Sequence, residues 1–287
     1  MKASVSKPQK LIAYLQEVVG ASFSGKYLRK VLEANLCRIN GRIERFGSAQ
    51  LKKGDQVELA PTWKTFFAPA LSKLEILYED ETLKIVNKPA GWICTDDQLF
   101  RSLGPKHHLI HRLDKDTTGL LMIAKNPTSR DQFMELFEKR EISKTYLAVV
   151  DGVPREESGV RKSNLAKKSS FQGQTIWGST PKGLEAITHW KRVSIGTGAS
   201  LLLCEPHTGR THQIRVHLAE MGHPILIDRQ YAKSFGCRLF IQRPLLHAYR
   251  LKFFHPILLK TMDLTAKIPE DMCEILDQVG IDRSVWK

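Results

Sequence analysis

Residues 107–124 read HHLIHRLDKDTTGLLMIA, a dense polar run that passes directly into an apolar segment. Arg112 and Lys115 place positive charge on both sides of Asp114, and Gly119 separates the polar run from apolar residues typical of a buried strand. Loops that a rigid strand positions commonly carry functional side chains. The pattern favours an active-site loop, although Asp, Thr and Gly before a strand also form ordinary turns.

The length and composition narrow the class of protein. The chain has 287 residues, enough for a small domain followed by one of ordinary size. Its five cysteines are scattered without a CxxC pair, which is typical of reduced intracellular thiols. The sequence has no apolar run of the roughly 18 residues that a membrane span needs, and its first residues lack the apolar core of a secretory signal. We therefore expect a cytoplasmic protein that does not associate with membranes.

The charge balance favours a polyanionic partner. Lys and Arg number 44 against 30 Asp and Glu, an excess of +14. Such an excess attracts nucleic acid through its phosphates. An anionic membrane surface would attract it too, but the sequence shows no long amphipathic helix with a basic face.

The first part of the chain predicts two helices followed by a small hairpin. Apolar residues at 11, 12, 15, 18 and 19 share one helical face, and a second helical pattern covers 27–32. Asn40-Gly41 lies between two strand-like pieces and predicts a tight hairpin turn. These segments are basic and could either contact a phosphate backbone or simply solubilise the chain. Their cations include Arg29, Lys30, Arg38, Arg42 and Arg45.

Changes in composition divide the chain into four segments. We predict a flexible tail at 1–9, a small domain at 10–68, a linker at 69–73 and a larger domain at 74–287. In the larger domain, strand patterns occur within 74–91, 142–150, 184–190, 200–204 and 243–256, and helical patterns within 127–139 and 268–279. The polar stretch 152–182 is expected to form short edge strands and mobile loops.

Two further stretches of the larger domain place candidate side chains together. Lys144 and Tyr146 alternate along one strand and therefore project to the same side. Gly209 precedes a helix whose start carries Arg210 and Arg215. The histidines at 207, 212, 217 and 223 lack the i, i+4 spacing of a helical zinc pair, so we expect no metal. Without a GxGxxG or P-loop pattern, we expect no cofactor either.

Four motifs occur in order within the larger domain. They are residues 87–91 (NKPAG), residues 111–119 (HRLDKDTTG), residues 144–148 (KTYLA) and residues 209–215 (GRTHQIR). Together they resemble the motifs of the RluA-type pseudouridine synthases, and the resemblance covers residues 74–260. Residues 10–60 resemble the S4 RNA-binding domain. The combination is similar to that of family members that modify large-subunit (23S) ribosomal RNA.

The resemblance implies an α+β fold. A small S4 domain of helices and a short hairpin would precede a catalytic domain with a mixed, mainly antiparallel sheet flanked by helices and loops. It also implies an intramolecular isomerase that converts specific uridines of ribosomal RNA to pseudouridine, in RNA that is either naked or within an assembling particle. We expect a monomer, because nothing in the sequence requires more than one copy. The competing hypotheses are a catalytically inactive, ribosome-associated RNA-binding protein and, with less support because an acidic cluster is missing, a metal-dependent nuclease.

Residue roles follow from the same resemblance. Asp114 matches the catalytic aspartate, Arg215 the arginine that keeps it ionised, and Tyr146 the tyrosine that packs on the target base. Arg112 matches the residue that enters the RNA stack when the uridine is flipped out. Further RNA contacts are expected from Lys88, Lys144, Arg210, His212, Arg29, Lys30, Arg38 and Arg42.

We expect two residues near Asp114 to have other roles. The sequence also differs from the family pattern at one residue and in one short stretch. We expect Asp116 to cap the turn and His111 to act as a scaffold or phosphate contact. Thr118 stands where serine is more usual but keeps the hydroxyl. Residues 91–97 differ from the customary continuation, which leaves the substrate contacts of that loop open. The sequence does not indicate which uridine is modified.

Overall fold

The computed structural model describes residues 1–20, 23–64, 74–171, 174–232, 235–237 and 239–282. The chain divides into two units, one comprising Met1–Ala70 with Arg238–Arg243 and the other Leu71–Cys237 with Pro244–Lys287. The linker predicted at 69–73 lies outside the described residues. Within the described ranges, no helix is both long and apolar enough to cross a bilayer.

The N-terminal unit packs two short helices on small antiparallel sheets, as their apolar spacing predicts. Leu11, Leu15, Leu28 and Leu32 are fully buried in its core. Asn40 and Gly41 both have positive φ, which gives the predicted hairpin turn. The elements are β1 (Lys2–Ser4), β2 (Gln9–Lys10), α1 (Leu11–Val19), α2 (Gly25–Glu33), β3 (Cys37–Ile39), β4 (Arg42–Ile43), β5 (Gln50–Leu51) and β6 (Gln56–Leu59).

Two predictions for this unit are wrong. Residues 1–9 are not a flexible tail, because β1 pairs with β6 and satisfies backbone groups that an open edge would expose, and Val5 is buried. Arg38 does not face RNA, since it is only 5% exposed, stacks over the ring of Phe240 and donates a hydrogen bond to the Leu239 carbonyl. Its role is to bind residues 239–240 to the core of this unit.

The larger unit is built on one long sheet. Its strands are β7 (Glu75–Glu79), β8 (Leu83–Lys88), β9 (His108–Leu109), β10 (Thr118–Ala124), β11 (Ser143–Asp151), β12 (Ser158–Phe171), β13 (Gln174–Ser179), β14 (Leu184–Gly196), β15 (Ala199–Pro206), β16 (Leu246–His255) and β17 (Lys260–Thr265). They follow the order β13-β12-β14-β15-β11-β16-β10-β8-β7, with β17 paired to β16 and β9 paired to β10. Among the described strand pairs only β10 and β16 run parallel, so the predicted mixed, mainly antiparallel sheet is confirmed.

In the described part of this unit, four helices flank the sheet. They are α3 (Asp96–Leu103), α4 (Pro127–Glu138), α5 (Gln213–Glu220) and α6 (Glu270–Gln278). The helices at 127–139 and 268–279 were predicted, and the helix after Gly209 begins at Gln213. Helix α3 was not predicted. Its N-cap, Thr95, accepts a hydrogen bond from the Gln98 amide, so the unusual 91–97 stretch leads into a helix.

The expectation of short edge strands over 152–182 holds for β13, which has six residues and lies at the edge of the sheet, but not for β12. The mobile loops expected there stay a prediction. Strand β12 has 14 residues and pairs with β14 on one side and β13 on the other. Of the residues in β12 whose side chains are described, only Leu165 is buried. The strand is therefore held by backbone pairing and lacks the apolar alternation that reveals half-buried strands.

Candidate active site

One cleft of the larger unit gathers most of the predicted site residues. It has a volume of about 440 Å³ and lies where the loop before β10, the start of β11 and the start of α5 converge. Residues that were predicted from distant parts of the chain share its walls: Arg112, Asp114, Lys144, Tyr146, Arg210, His212 and Arg215. The described side chains contain no group of three His, Cys, Asp or Glu residues that could hold a metal ion.

A buried lysine holds the loop that carries Asp114. The Lys88 ammonium donates hydrogen bonds to the carbonyl oxygens of Pro89, Trp92 and Lys115 at 2.9–3.0 Å. The Gly91 amide also donates to the Lys115 carbonyl. Lys88 is completely buried, so the prediction that it contacts RNA is wrong. A buried ammonium is tolerated here because three carbonyl oxygens satisfy it.

His111 supports the same loop from the other side. Its Nε2 accepts a hydrogen bond from the Met122 amide at 2.9 Å, and its ring packs on Phe137. Burial, aided by the charge of Lys144, lowers the pKa of His111 to about 3, so the ring is neutral. These contacts support the scaffold role among the two expected for it. The capping role of Asp116 stays a prediction.

Arg215 joins Asp114 to a second carboxylate. Its Nη1 lies 3.3 Å from Asp114 Oδ2, while Nε and Nη2 donate to the two oxygens of Asp228 at 2.6 and 2.8 Å. Nη2 also donates to Gln230 Oε1 at 2.7 Å. Burial alone would lower the pKa of Arg215, but the hydrogen bond and charge of Asp228 outweigh it and raise the pKa above its usual value. The guanidinium stays charged and faces Asp114.

Sequence reasoning missed the residues behind Arg215. Asp228, Gln230 and Tyr231 follow the buried run 225–227, and Gln230 Nε2 donates to the Thr175 carbonyl in β13. An acidic residue directly after three apolar residues could have signalled a buried carboxylate that needs a cationic partner. That partner lies 13 positions away, and no local pattern identifies it.

His212 stands on the other side of Asp114. Its Nε2 lies 3.7 Å from Asp114 Oδ1, and its Nδ1 lies 2.6 Å from the hydroxyl of Tyr231. Burial, and then the charge of Arg215, lower the pKa of His212 to about 4, although Asp114 opposes the shift. The imidazole is therefore neutral at neutral pH.

Tyr146 and the cations complete the cleft. Burial raises the pKa of Tyr146, and the charge of Asp114 adds to the effect, so the phenol keeps its proton. Lys144 Nζ lies 5.6 Å from the centre of the Phe137 ring, and Arg210 Nε donates to the Glu185 carbonyl. Arg112 is exposed. Basic side chains therefore surround the acidic centre, and this arrangement suits a substrate that carries phosphates.

The substitution at position 118 is compatible with the fold. Thr118 Oγ1 lies 2.9 Å from Nδ1 of the buried His247, whose Nε2 faces the Ala266 carbonyl at 3.3 Å. Because a carbonyl only accepts, Nε2 carries a proton, and Nδ1 is paired with the threonine hydroxyl. The hydroxyl that threonine shares with the more usual serine therefore forms a hydrogen bond to His247.

Comparisons with known proteins agree with one another. The profile of the RNA pseudouridylate synthase family matches residues 82–220, which include Asp114, Tyr146 and Arg215. The ribosomal large subunit pseudouridine synthase D of Zymomonas mobilis is 36% identical over 224 residues, 69% of this chain and 70% of that protein. The protein of the same name from Pasteurella multocida is 29% identical over 91% of this chain and 88% of its own length. Among solved structures, human RNA pseudouridylate synthase domain containing 4 aligns with a TM-score of 0.61 at 26% identity, covering 72% of this chain and 93% of that one.

Proposed function

This chain belongs to the RNA pseudouridylate synthase family, and we propose that it isomerises specific uridines of large-subunit ribosomal RNA to pseudouridine. The family makes it an isomerase. The choice of RNA is supported by relatives that are named ribosomal large subunit pseudouridine synthases. The observation that carries the proposal is the carboxylate of Asp114 beside the guanidinium of Arg215 in an open, basic cleft.

The proposed chemistry needs one free carboxylate. Asp114 acts on the ribose of the target uridine, as nucleophile or as base, while the N-glycosidic bond breaks. N1 keeps the electron pair of the broken bond, the base turns, and C5 bonds to the sugar. The C5 proton then leaves to solvent and N1 takes up a proton, so the product is an isomer of the substrate. Hydrolytic glycosidases pair two carboxylates to manage a water. Here the second carboxylate, Asp228, is buried and occupied by Arg215, which supports isomerisation rather than hydrolysis.

The surrounding residues support binding of a flipped nucleotide. Extruding a base costs a few kcal/mol, which protein contacts must offset. We propose that Tyr146, kept protonated, packs on the base, and that exposed Arg112 fills the gap in the RNA stack. Lys144 and Arg210 at the cleft would bind phosphates.

We propose that the N-terminal unit is an S4-like RNA-binding domain. Its two helices and hairpin match the expected order, and Arg29, Lys30 and Arg42 are exposed. Arg38 is excluded from the RNA contacts by its burial. We further propose that the protein acts in the cytoplasm as a monomer without metal or cofactor, since the chemistry as written needs neither.

The test is release of tritium from ribosomal RNA labelled at C5 of uridine. We predict release by the wild type, and a loss of roughly 10³-fold or more in D114N, because the amide can act neither as nucleophile nor as base. D114N should bind RNA and unfold like the wild type, which is the folding control. Turnover of D114N at about a tenth of the wild-type rate would remove Asp114 from its role. A wild type that binds RNA but releases no tritium would favour the inactive RNA-binding protein.

A further inference from the structure

We infer that His212 is a positioning residue that orients the Asp114 carboxylate, and that Tyr231 fixes which nitrogen of His212 faces that carboxylate. The inference rests on the proposed function, because it concerns how Asp114 is held for the reaction. It replaces the expectation that His212 contacts RNA.

The backbone at His212 is constrained in a way that serves this contact. His212 has φ +58°, in the left-handed region, immediately before α5. That conformation is unfavourable for a residue other than glycine. The His212 side chain makes no capping hydrogen bond to the described helix α5 and instead lies between Tyr231 and Asp114. The strained position therefore directs the ring into the cleft.

The hydrogen bonds around Tyr231 determine the tautomer of His212. The Trp177 amide donates to the Tyr231 oxygen at 3.3 Å. Burial raises the pKa of Tyr231 to about 12, so the phenol keeps its own proton and can donate it. Among the described hydrogen-bond neighbours of the Tyr231 hydroxyl, Nδ1 of His212 at 2.6 Å is the group that can accept its proton, and a neutral imidazole can do so. The single ring proton is then on Nε2, the nitrogen that faces Asp114.

The two oxygens of Asp114 therefore face different groups. Oδ2 lies 3.3 Å from the charged Arg215, and Oδ1 lies 3.7 Å from the neutral Nε2–H of His212. A separation of 3.7 Å is longer than a hydrogen bond, so the Nε2–H group attracts Oδ1 electrostatically and leaves this oxygen available to act on the ribose. The opposite tautomer would turn a lone pair toward the carboxylate and repel it.

Tyr231 also touches the other partner of Asp114. The Cζ atom of Arg215 lies 5.1 Å from the centre of the Tyr231 ring. A substitution at Tyr231 could therefore change Asp114 through Arg215 instead of through His212. The experiment has to separate the two routes.

Four variants separate the roles of the two ring nitrogens. In H212N the amide occupies the position of Nδ1 and can still accept from Tyr231, whereas in H212Q it reaches the position of Nε2 and can donate to Asp114. We expect H212N to lower kcat for tritium release by about 10- to 100-fold with KM for RNA unchanged, and H212Q to retain kcat within about threefold. Y231F should lower kcat about tenfold in the wild-type background and not at all in H212Q, where no tautomer remains to be fixed.

A second readout is independent of activity. In protein with ¹⁵N-labelled histidine, the signals that disappear in H212Q belong to His212. We expect their shifts to show protonated Nε2 and bare Nδ1 in the wild type, and a mixture of tautomers in Y231F. Thermal unfolding of each variant checks that the fold is kept.

The outcomes that overturn the inference differ from those that overturn the proposed function. A rise in KM with unchanged kcat in H212N would make His212 an RNA contact. An equal loss from Y231F in the wild-type and H212Q backgrounds would place the effect of Tyr231 on Arg215. A wild-type tautomer with the proton on Nδ1 would refute the inference even if the enzyme were active on no RNA tested. Absence of tritium release by the wild type, with the expected tautomer, would count against the proposed function alone.

Discussion

Arg215 is the residue on which the cleft depends, because it holds two carboxylates with one planar group. Its Nε and Nη2 engage Asp228 in a paired geometry, and Nη1 remains for Asp114. A lysine ammonium is a point charge without this fork and cannot reach both carboxylates in the same way. With lysine at this position, the buried Asp228 would lose one of the two hydrogen bonds that Arg215 donates to it.

R215K should therefore harm both activity and stability. We predict a loss in kcat of about 100-fold or more, and a loss in unfolding free energy of about 2–4 kcal/mol, because the buried Asp228 is left incompletely paired. Tritium release and denaturant unfolding measure the two effects. The matched control is R250K, since Arg250 pairs with Asp263 on the surface. There we expect less than about 1 kcal/mol. If R215K kept activity within threefold of the wild type, Asp114 would not require the planar guanidinium of Arg215.

At the scale of elements, the loop that carries Asp114 is held at the sheet by a close backbone contact between β10 and β16. Gly119 has φ +106°, and a Cβ built on it would lie 2.2 Å from the Ala248 carbonyl oxygen of β16. Gly119 and Ala248 are paired in the parallel register of the two strands. Only glycine allows both the backbone conformation and the approach.

G119A should be severely destabilising. We predict a loss of at least about 3 kcal/mol in unfolding free energy, or failure to fold, because the strands must separate to admit the methyl group. Denaturant unfolding measures it. The control is Gly222→Ala in the same unit, where φ is also positive but no described atom lies within 4 Å of the added Cβ. That change should cost only about 1 kcal/mol. Equal costs at the two positions would contradict the close approach.

Helix α5 is joined to the sheet by a buried histidine. His217 is completely buried, with Nδ1 at 2.9 Å from Thr188 Oγ1 and Nε2 at 3.1 Å from Ser163 Oγ. Burial lowers its pKa to about 4. Between about pH 6.5 and 4 the unfolded chain binds a proton at this residue that the folded chain does not bind. The stabilisation is complete above pH 6.5 and is lost as the pH falls through this window.

H217Q should reduce the acid sensitivity of the fold. Near pH 5 we expect the slope of unfolding free energy against pH to fall by about 1.4 kcal/mol per pH unit, the value for one proton. The measurement is denaturant unfolding at a series of pH values from 7 to 4.5. H189Q, at an exposed position on β14, is the comparison variant. An unchanged slope in H217Q would mean that His217 binds a proton in the folded protein too.

The sequence predicted the elements that have clear periodicity but not the partners of buried charges. The apolar spacing of α1, α4 and α6 and the Asn40-Gly41 turn were sufficient for those elements. The length of β12 was missed because pairing rather than burial holds this strand. Lys88 and Arg38 were misinterpreted since their burial depends on carbonyl groups elsewhere in the chain. The cleft brings Asp114, Tyr146 and Arg215 together, and their catalytic roles stay predictions.

At the scale of the whole molecule, the net charge of +14 favours a polyanionic partner. One set of cations lines the cleft: Arg112, Arg140, Lys144, Arg210 and Arg215. On the N-terminal unit, exposed Arg29 and Lys30 on α2 and exposed Arg42 on β4 provide a separate set. We expect these three cations to increase the affinity for RNA and its salt dependence but not kcat at saturating RNA. Phosphate contacts position the RNA without touching the reacting base.

The double variant R29E/K30E tests this division. We predict that affinity for ribosomal RNA falls by about 10- to 100-fold at moderate salt, and that the slope of log K against log salt is reduced by about two. The kcat for tritium release at saturating RNA should not change. The control K52E/K53E makes the same change in net charge at two exposed lysines of the same unit, in the turn before β6. If both variants weaken binding equally, the attraction is a general effect of charge and the S4-like RNA-binding surface on α2 is refuted. A loss confined to R29E/K30E would place RNA on that helix.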